Sequence, residues 1–159
     1  MTPLKGLVRD EKLMEAWLMA NSVKPEDKKA YKNITEIFGK FDFVANTIRS
    51  YYIKFMDIFG YEEKNGQREY KIIELKTEKA TLEDLKQLIK YINWIAEFLA
   101  EKNLNRVKGF LVGKKFDIEI INQSDEKKLW DSIKLVEYYY KQNTFYLRIY
   151  NAPKQAKLF

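Results

Sequence analysis

The chain has no cysteine and no histidine. Without cysteine there is no disulfide framework, no thiolate zinc site and no cysteine nucleophile. Without histidine, serine–histidine hydrolases, imidazole general bases and histidine-ligated metals are excluded as well. Any chemistry falls to carboxylates, lysines, tyrosines and backbone groups. Long apolar runs are also missing: nothing approaches the roughly 18 apolar residues of a membrane span, and the opening "MTPLKGLVRDEK" has no apolar h-region. A cytoplasmic location without membrane association is the expectation.

What is present is an ordinary globular balance, 46% hydrophobic and 33% charged residues in a chain of 159. That length suits one compact domain with a real core, here expected over residues 1–150, with 151–159, "NAPKQAKLF", as an appended tail. Lys and Arg number 29 against 23 Asp and Glu, a net charge of +6 that favours an anionic partner, nucleic acid first.

Apolar spacing along "VRDEKLMEAWLMANS" and "KPEDKKAYKNITEIFGK" predicts two helices, over residues 6–20 and 26–38. "TIRSYYIKFMDIFGYEE" is rich in aromatic and β-branched residues and reads as one long strand; "QREYKIIELK" reads as a second. Asn65-Gly66 between them is a preferred two-residue hairpin turn, so the two should be antiparallel neighbours. Leu85, Leu88, Ile89, Ile92, Ile95, Ala96 and Leu99 then form one helical stripe with Thr81 as N-cap. "VKGFLVG" has the unbroken apolar character of a strand covered on both faces. "SDEKKLWDSIKLVEYYY" reads as a helix capped by Ser124, and "NTFYLRIY" as a last strand with Phe145, Leu147 and Ile149 on one side. The order α, α, β, β, α, β, α, β predicts an α/β fold with a mixed central sheet flanked by helices.

Within "YKIIELK" the charged Glu74 and Lys76 share one face of the strand while Ile73 and Leu75 share the other. With Asn65-Gly66 as the turn, Lys64 pairs with Gln67, and counting back along both arms brings Asp57 opposite Glu74. Opposed residues on an antiparallel pair have Cβ atoms roughly 4.5–5.5 Å apart. Two carboxylates that close repel unless a proton or cation lies between them, and hard oxygen donors suit Mg²⁺ or Mn²⁺. Lys76, one step further on that face, could orient or help deprotonate water. The plain alternative is a solvated strand face, and a one-residue bulge would separate the carboxylates.

Asp57 followed seventeen positions later by Glu74-Leu75-Lys76 on the arms of a hairpin resembles the D…(D/E)XK signature of the PD-(D/E)XK nuclease superfamily. From "MDIFGYEE" through "YKIIELK" and "QLIKY" to "VKGFLVG", the chain is similar element by element to the catalytic domain of the NucS-type mismatch endonucleases. The resemblance implies a restriction-endonuclease-like core and a Mg²⁺- or Mn²⁺-dependent deoxyribonuclease. It makes Asp57, Glu74 and the Leu75 carbonyl metal ligands and Lys76 the water-positioning or charge-stabilising group. Gln87 would lie near the active site, and Glu11, with Glu15 in reserve, matches the superfamily's acidic residue on the first helix. Phe55 departs from the family pattern by standing where it has an arginine, so a phosphate contact is expected to be missing there. The chain also leaves no room for the family's separate N-terminal domain, so mismatch specificity does not carry over.

Other features read as follows. Tyr91 and Trp94 are expected to pack in the core or on the sheet; Lys28, Lys29, Lys32, Lys114, Lys115, Lys127 and Lys128 either solvate the surface or form a rim for a nucleic-acid backbone. The tyrosines at 138–140 read as packing at a helix end, with a subunit contact as an option, and a homodimer would suit cutting of two strands. Gln155, Leu158 and Phe159 resemble clamp-binding peptides and imply a sliding clamp as partner; a frayed tail is the alternative. Besides the endonuclease, two readings stand: a catalytically inactive nucleic-acid- or clamp-binding module on the same fold, and a structural protein.

Overall fold

The computed structural model describes residues 11–49, 54–122, 130–141 and 144–151. Helix α1 (Glu11–Ser22) buries Met14 and Leu18, one turn apart. Helix α2 (Lys28–Phe38) buries Ala30, Ile34 and Phe38 at the same spacing. It starts two residues later than expected because Asp27 is its N-cap, accepting from the N–H groups of Lys29 and Ala30 at 2.9 and 3.2 Å.

Strands β1 (Phe43–Arg49), β2 (Phe55–Lys64) and β3 (Gln67–Leu75) form an antiparallel meander. The expected single long strand from Thr47 is thus two strands, paired from Phe43↔Tyr61 to Arg49↔Phe55. Both arms have the same aromatic and β-branched character, and no Gly, Pro or Asn punctuates "RSYYIK". The β2–β3 hairpin has the expected register, Lys64↔Gln67 down to Ile58↔Ile73, and Asn65 and Gly66 both take positive φ (52° and 78°), as a type I′ turn requires.

A short strand β4 (Lys79–Ala80) leads into helix α3 (Leu82–Phe98), whose N-cap Thr81 closes a capping box with Asp84. Helix α3 crosses over to strand β5 (Val107–Gly113), which pairs in parallel with β3. Strand β6 (Lys115–Phe116) pairs with β4, a short helix α4 follows (Ile118–Ile121), and β7 (Ile133–Lys141) and β8 (Thr144–Ile149) complete the main sheet. The sheet order is β1-β2-β3-β5-β7-β8, with parallel pairs at its centre.

The helix expected over 124–140 is overturned where it is described: Ile133–Lys141 is strand β7. Ile133 and Leu135 pack toward α3, Val136 and Tyr138 toward α1 and α2. A strand covered on both faces is apolar without alternation, which periodicity cannot distinguish from a buried helix. The tyrosine run therefore lies on a strand rather than at a helix end, with Tyr138 buried and Tyr139 exposed. Ser124, Lys127, Lys128 and the tail residues Gln155, Leu158 and Phe159 lie outside the described residues.

Two cores sandwich the sheet. On one face α3 buries Leu85, Leu88, Tyr91, Ile92 and Ile95 against Tyr70, Ile72, Val107, Leu111, Ile133 and Leu135. On the other, α1 and α2 cover Ile58, Ile73, Leu75, Phe110 and Val112. Each large side chain so buried contributes about 1.5–3 kcal/mol. Gly109 lets α3 lie close to β5, because a Cβ there would meet Ile92 Cδ1 at 2.5 Å. Tyr91 is buried as expected, and Trp94 is half-buried against the α3 core. Edge strand β8 is covered where Asn33 pairs with both backbone groups of Leu147, at 2.9 and 2.8 Å. No helix among the described residues is long and apolar enough to cross a membrane.

Candidate active site

The β2–β3 ladder pairs backbone to backbone as far as Ile58↔Ile73. Beyond that point carboxylates take over. The Asp57 N–H donates to Glu74 Oε1 at 3.2 Å, and the Leu75 N–H donates to Asp57 Oδ2 at 2.8 Å. Each strand's donor is satisfied by the other strand's acid, which fixes both side chains and uses neither Asp57 Oδ1 nor Glu74 Oε2 in those bonds. Sheet pairing continues on the other side of β3, where the Lys76 N–H donates to the Val112 carbonyl at 2.8 Å. The site therefore sits at the carboxyl end of β3, the usual position for a crevice in an open sheet with parallel strands.

Asp57, Glu74, Lys76 and Gln87 line one cavity of about 380 Å³ between this strand end and the start of α3. Sequence reasoning placed these four together, and the structure brings them together. It named Phe55 only as the place of a missing phosphate contact and missed the rest of the lining: Lys54, just before β2, and Glu83, Asp84, Lys86, Lys90 and Tyr91 on α3. The α3 residues carry a usable signal, since Glu83, Lys86, Gln87 and Lys90 recur at helical spacings on the helix that follows the ExK strand.

Burial governs the electrostatics. Glu74 is only 7% exposed, and burial, then the charge of Asp57, pushes its carboxyl up to about 8 against the opposing N–H of Asp57. Asp57 is raised to about 6, first by burial and then by the charges of Glu15 and Glu11, while the Leu75 N–H and Lys76 oppose the rise. At Lys76 burial works to lower the ammonium's pKa, but Asp84, Glu11 and Asp57 outweigh it and the net shift is upward. Asp84 holds Lys76 directly: Oδ1 lies 3.4 Å from Nζ while Oδ2 accepts from the Thr81 N–H and hydroxyl at 2.8 and 3.0 Å. One carboxylate thus caps the helix and anchors the lysine.

Glu11 and Glu15 do not line the cavity and reach Asp57 through charge alone. Glu15 is buried, accepts from the Thr47 hydroxyl at 2.9 Å and pairs with Lys12 at 3.3 Å. Thr47 has φ of 53° and stands opposite Asp57, between the pairs Asn46↔Ile58 and Ile48↔Met56.

The donor set fits a hard divalent cation. Two carboxylates with raised pKa values, Glu74 buried and Asp57 half-buried, share a cavity with the end of β3, and the chain offers no thiolate or imidazole to attract a softer metal. Among the described residues no group of three or more acidic side chains is gathered to hold a metal ion. Mg²⁺, which keeps several waters and takes one or two carboxylates, suits such a sparse set. Gln87 adds a buried Nε2 that has no hydrogen-bond partner, a donor available to a ligand.

A mixed sheet sandwiched by helices, with an acidic pair and a lysine at a hairpin's end, defines the class of domain. More particularly, the chain belongs to the endonuclease NucS C-terminal domain family, whose model matches residues 31–138. Among solved structures it is similar to a repair endonuclease from Pyrococcus abyssi, at 17% identity and TM-score 0.47, over 70% of this chain and 46% of that one. It is also similar to the protein of an EndoMS–dsDNA complex, at 18% identity and TM-score 0.42, over 69% of this chain and 42% of that one. The chain thus spans less than half the length of either. No curated protein matches it.

Proposed function

We propose that this domain is a divalent-cation-dependent DNA endonuclease that hydrolyses phosphodiester bonds. The observation that carries the reading is the convergence of half-buried Asp57 and buried Glu74 with Lys76 on one cavity, in a chain of the NucS C-terminal domain family. Asp57, Glu74 and the Leu75 carbonyl would hold Mg²⁺ or Mn²⁺, which when bound supplies Lewis acidity to a phosphate oxygen and lowers the pKa of a water.

The chain's own residues do the remainder. Its raised pKa keeps Lys76 an ammonium at neutral pH, so Nζ acts as a hydrogen-bond donor and charge stabiliser rather than as a general base. Asp84 holds that ammonium at the cavity wall, where it would stabilise charge on a water oxygen attacking phosphorus in line. Gln87 Nε2 would donate to a non-bridging phosphate oxygen or to the water. The new bond joins the water oxygen to phosphorus while the water's proton is released to solvent, the bond to the leaving sugar oxygen breaks and that oxygen takes up a proton from solvent, and no imidazole is required. In the same reading, two copies of the chain would serve the two strands of a duplex, and Gln155, Leu158 and Phe159 would tether it to a sliding clamp.

The test is cleavage of labelled single-stranded, duplex, mismatched, flapped and branched DNAs with Mg²⁺ or Mn²⁺, by wild type, Glu74→Ala and Lys76→Ala. Metal-dependent cutting lost in both variants supports the nuclease. No cutting of any substrate by folded wild-type protein overturns it and leaves a non-catalytic binding module.

A further inference from the structure

Phe55 is an unusual residue to find at the mouth of a polar cavity. The residue is 52% exposed although it is the first residue of β2, two positions from Asp57. It is fixed rather than frayed: its backbone pairs with Arg49 of β1 and its carbonyl accepts from the Tyr91 hydroxyl at 3.2 Å. Phe55 lines the same cavity as Asp57 and Glu74, together with Lys54 beside it and Lys86, paired with Glu83 at 3.6 Å, and Lys90 one helical turn apart on α3. Leaving a phenylalanine half in water forgoes part of its burial, which a partner that covers the ring recovers.

The geometry points to a nucleobase-stacking subsite: Phe55 is the platform on which one base of a DNA strand stacks, and Lys54, Lys86 and Lys90 contact that strand's phosphates. A flat apolar ring rimmed by ammonium groups suits a ligand that alternates π-faces with negative charge, as a nucleic-acid strand does. Bases inside a continuous duplex have both faces covered by their neighbours. The subsite therefore takes a nucleotide whose base has left the stack, next to the acidic pair. The inference rests on the nuclease reading for its substrate, but its test does not depend on turnover.

The experiment measures binding of a fluorescein-labelled single-stranded DNA 12-mer by anisotropy in EDTA, where no cleavage intervenes, using the full chain. A 12-mer of the same length made wholly of abasic sites is the control. Removing the ring in Phe55→Ala should weaken binding of the base-containing strand by roughly five- to a hundredfold, as loss of one base–aromatic stack does. The abasic strand should lose less than about twofold, since phosphate contacts alone hold it. Phe55→Trp should restore the difference, which a merely structural role for Phe55 would not produce. An equal loss on both strands, no loss on either, or wild-type protein that binds the two strands alike would overturn the subsite. Those outcomes would leave the nuclease reading standing if metal-dependent cutting persists; conversely, base-selective binding without any cutting would uphold the subsite and end the nuclease reading.

Discussion

Replacing Glu74 by glutamine should stabilise the metal-free protein, and the gain should grow with pH. Glu74 is buried beside Asp57, and its carboxyl is raised from 4.5 to about 8. A raised carboxylate means that the folded state holds its proton more tightly than the unfolded chain does. The contribution to stability is therefore fully present below pH 4.5, declines as pH rises, and is gone above about pH 8, where the buried group ionises. At about 1.36 kcal/mol per pH unit the full span sets an upper limit of roughly 5 kcal/mol, and relaxation brings the expected range to about 2–4 kcal/mol. Glutamine keeps an oxygen for the Asp57 N–H but cannot ionise. In EDTA, the melting temperature of Glu74→Gln minus that of wild type should rise from near zero at pH 5 to roughly 5–15 °C at pH 8.5, taking about 2–4 °C per kcal/mol. With Mg²⁺ at a thousandfold excess over Kd the order should reverse, because only wild type gains by binding, about 4.1 kcal/mol. Differential scanning calorimetry at the two pH values, with and without metal, reads all four quantities. A difference that is flat with pH, or a variant less stable than wild type at pH 8.5 in EDTA, would refute the reasoning.

Four further outcomes follow from the packing and the capping box. Lys71 is 2% exposed and donates to Glu62 Oε1 at 3.0 Å and to the Lys40 carbonyl at 2.7 Å. Glu62→Ala, which strands that ammonium, should cost about 2–4 kcal/mol in urea unfolding, and Lys71→Met distinctly less. Gly109→Ala should destabilise by about 1–3 kcal/mol through overpacking against Ile92, with part of the loss recovered when Ile92 is shortened to valine. Thr81→Ala should cost about 1 kcal/mol as a lost cap. Asp84→Asn should in addition lower the pKa of Lys76, read by NMR titration of its side chain, whereas Thr81→Ala should leave it in place.

The sequence was readable wherever a local chemical rule decides the backbone. Asn65-Gly66 tolerates positive φ, Thr81 offers a hydroxyl to the first turn of α3, and the Leu85-to-Ile95 stripe repeats at helical spacing; each element formed where its residues require. Reading failed where two conformations satisfy the same pattern. Thr47 to Glu63 is uniformly strand-like, so nothing local announces that the chain reverses between Arg49 and Phe55. "IKLVEYYY" is apolar on both sides because helices cover both faces of β7, and only the neighbours β5 and β8 decide that it extends. Glu11 and Glu15 could not be separated by pattern, because the contact that holds Glu15 is made by Thr47, 32 residues away.

The site itself was legible for a different reason: a hairpin turn fixes every cross-strand pair, so one Asn-Gly dipeptide places Asp57 against Glu74. What the pattern could not disclose is the concentration of departures from good local structure around that pair. Thr47 holds a left-handed φ of 53° directly opposite Asp57. Glu74 is buried beside a second carboxylate, and Gln87 keeps a buried amide nitrogen without a partner. Each is unfavourable on its own, by roughly 1–3 kcal/mol. Elsewhere among the described residues a helix is capped, an edge strand is covered and the buried Lys71 is paired, although Glu101 and Lys102 also hold left-handed φ. The cavity that holds the acidic pair is also the one where Gln87 keeps its buried nitrogen without a partner. A cationic and phosphate-bearing ligand would answer both the paired acids and Gln87, neutralising the former and accepting from the latter. The same argument makes the stability of the empty domain the most sensitive reporter of what belongs there.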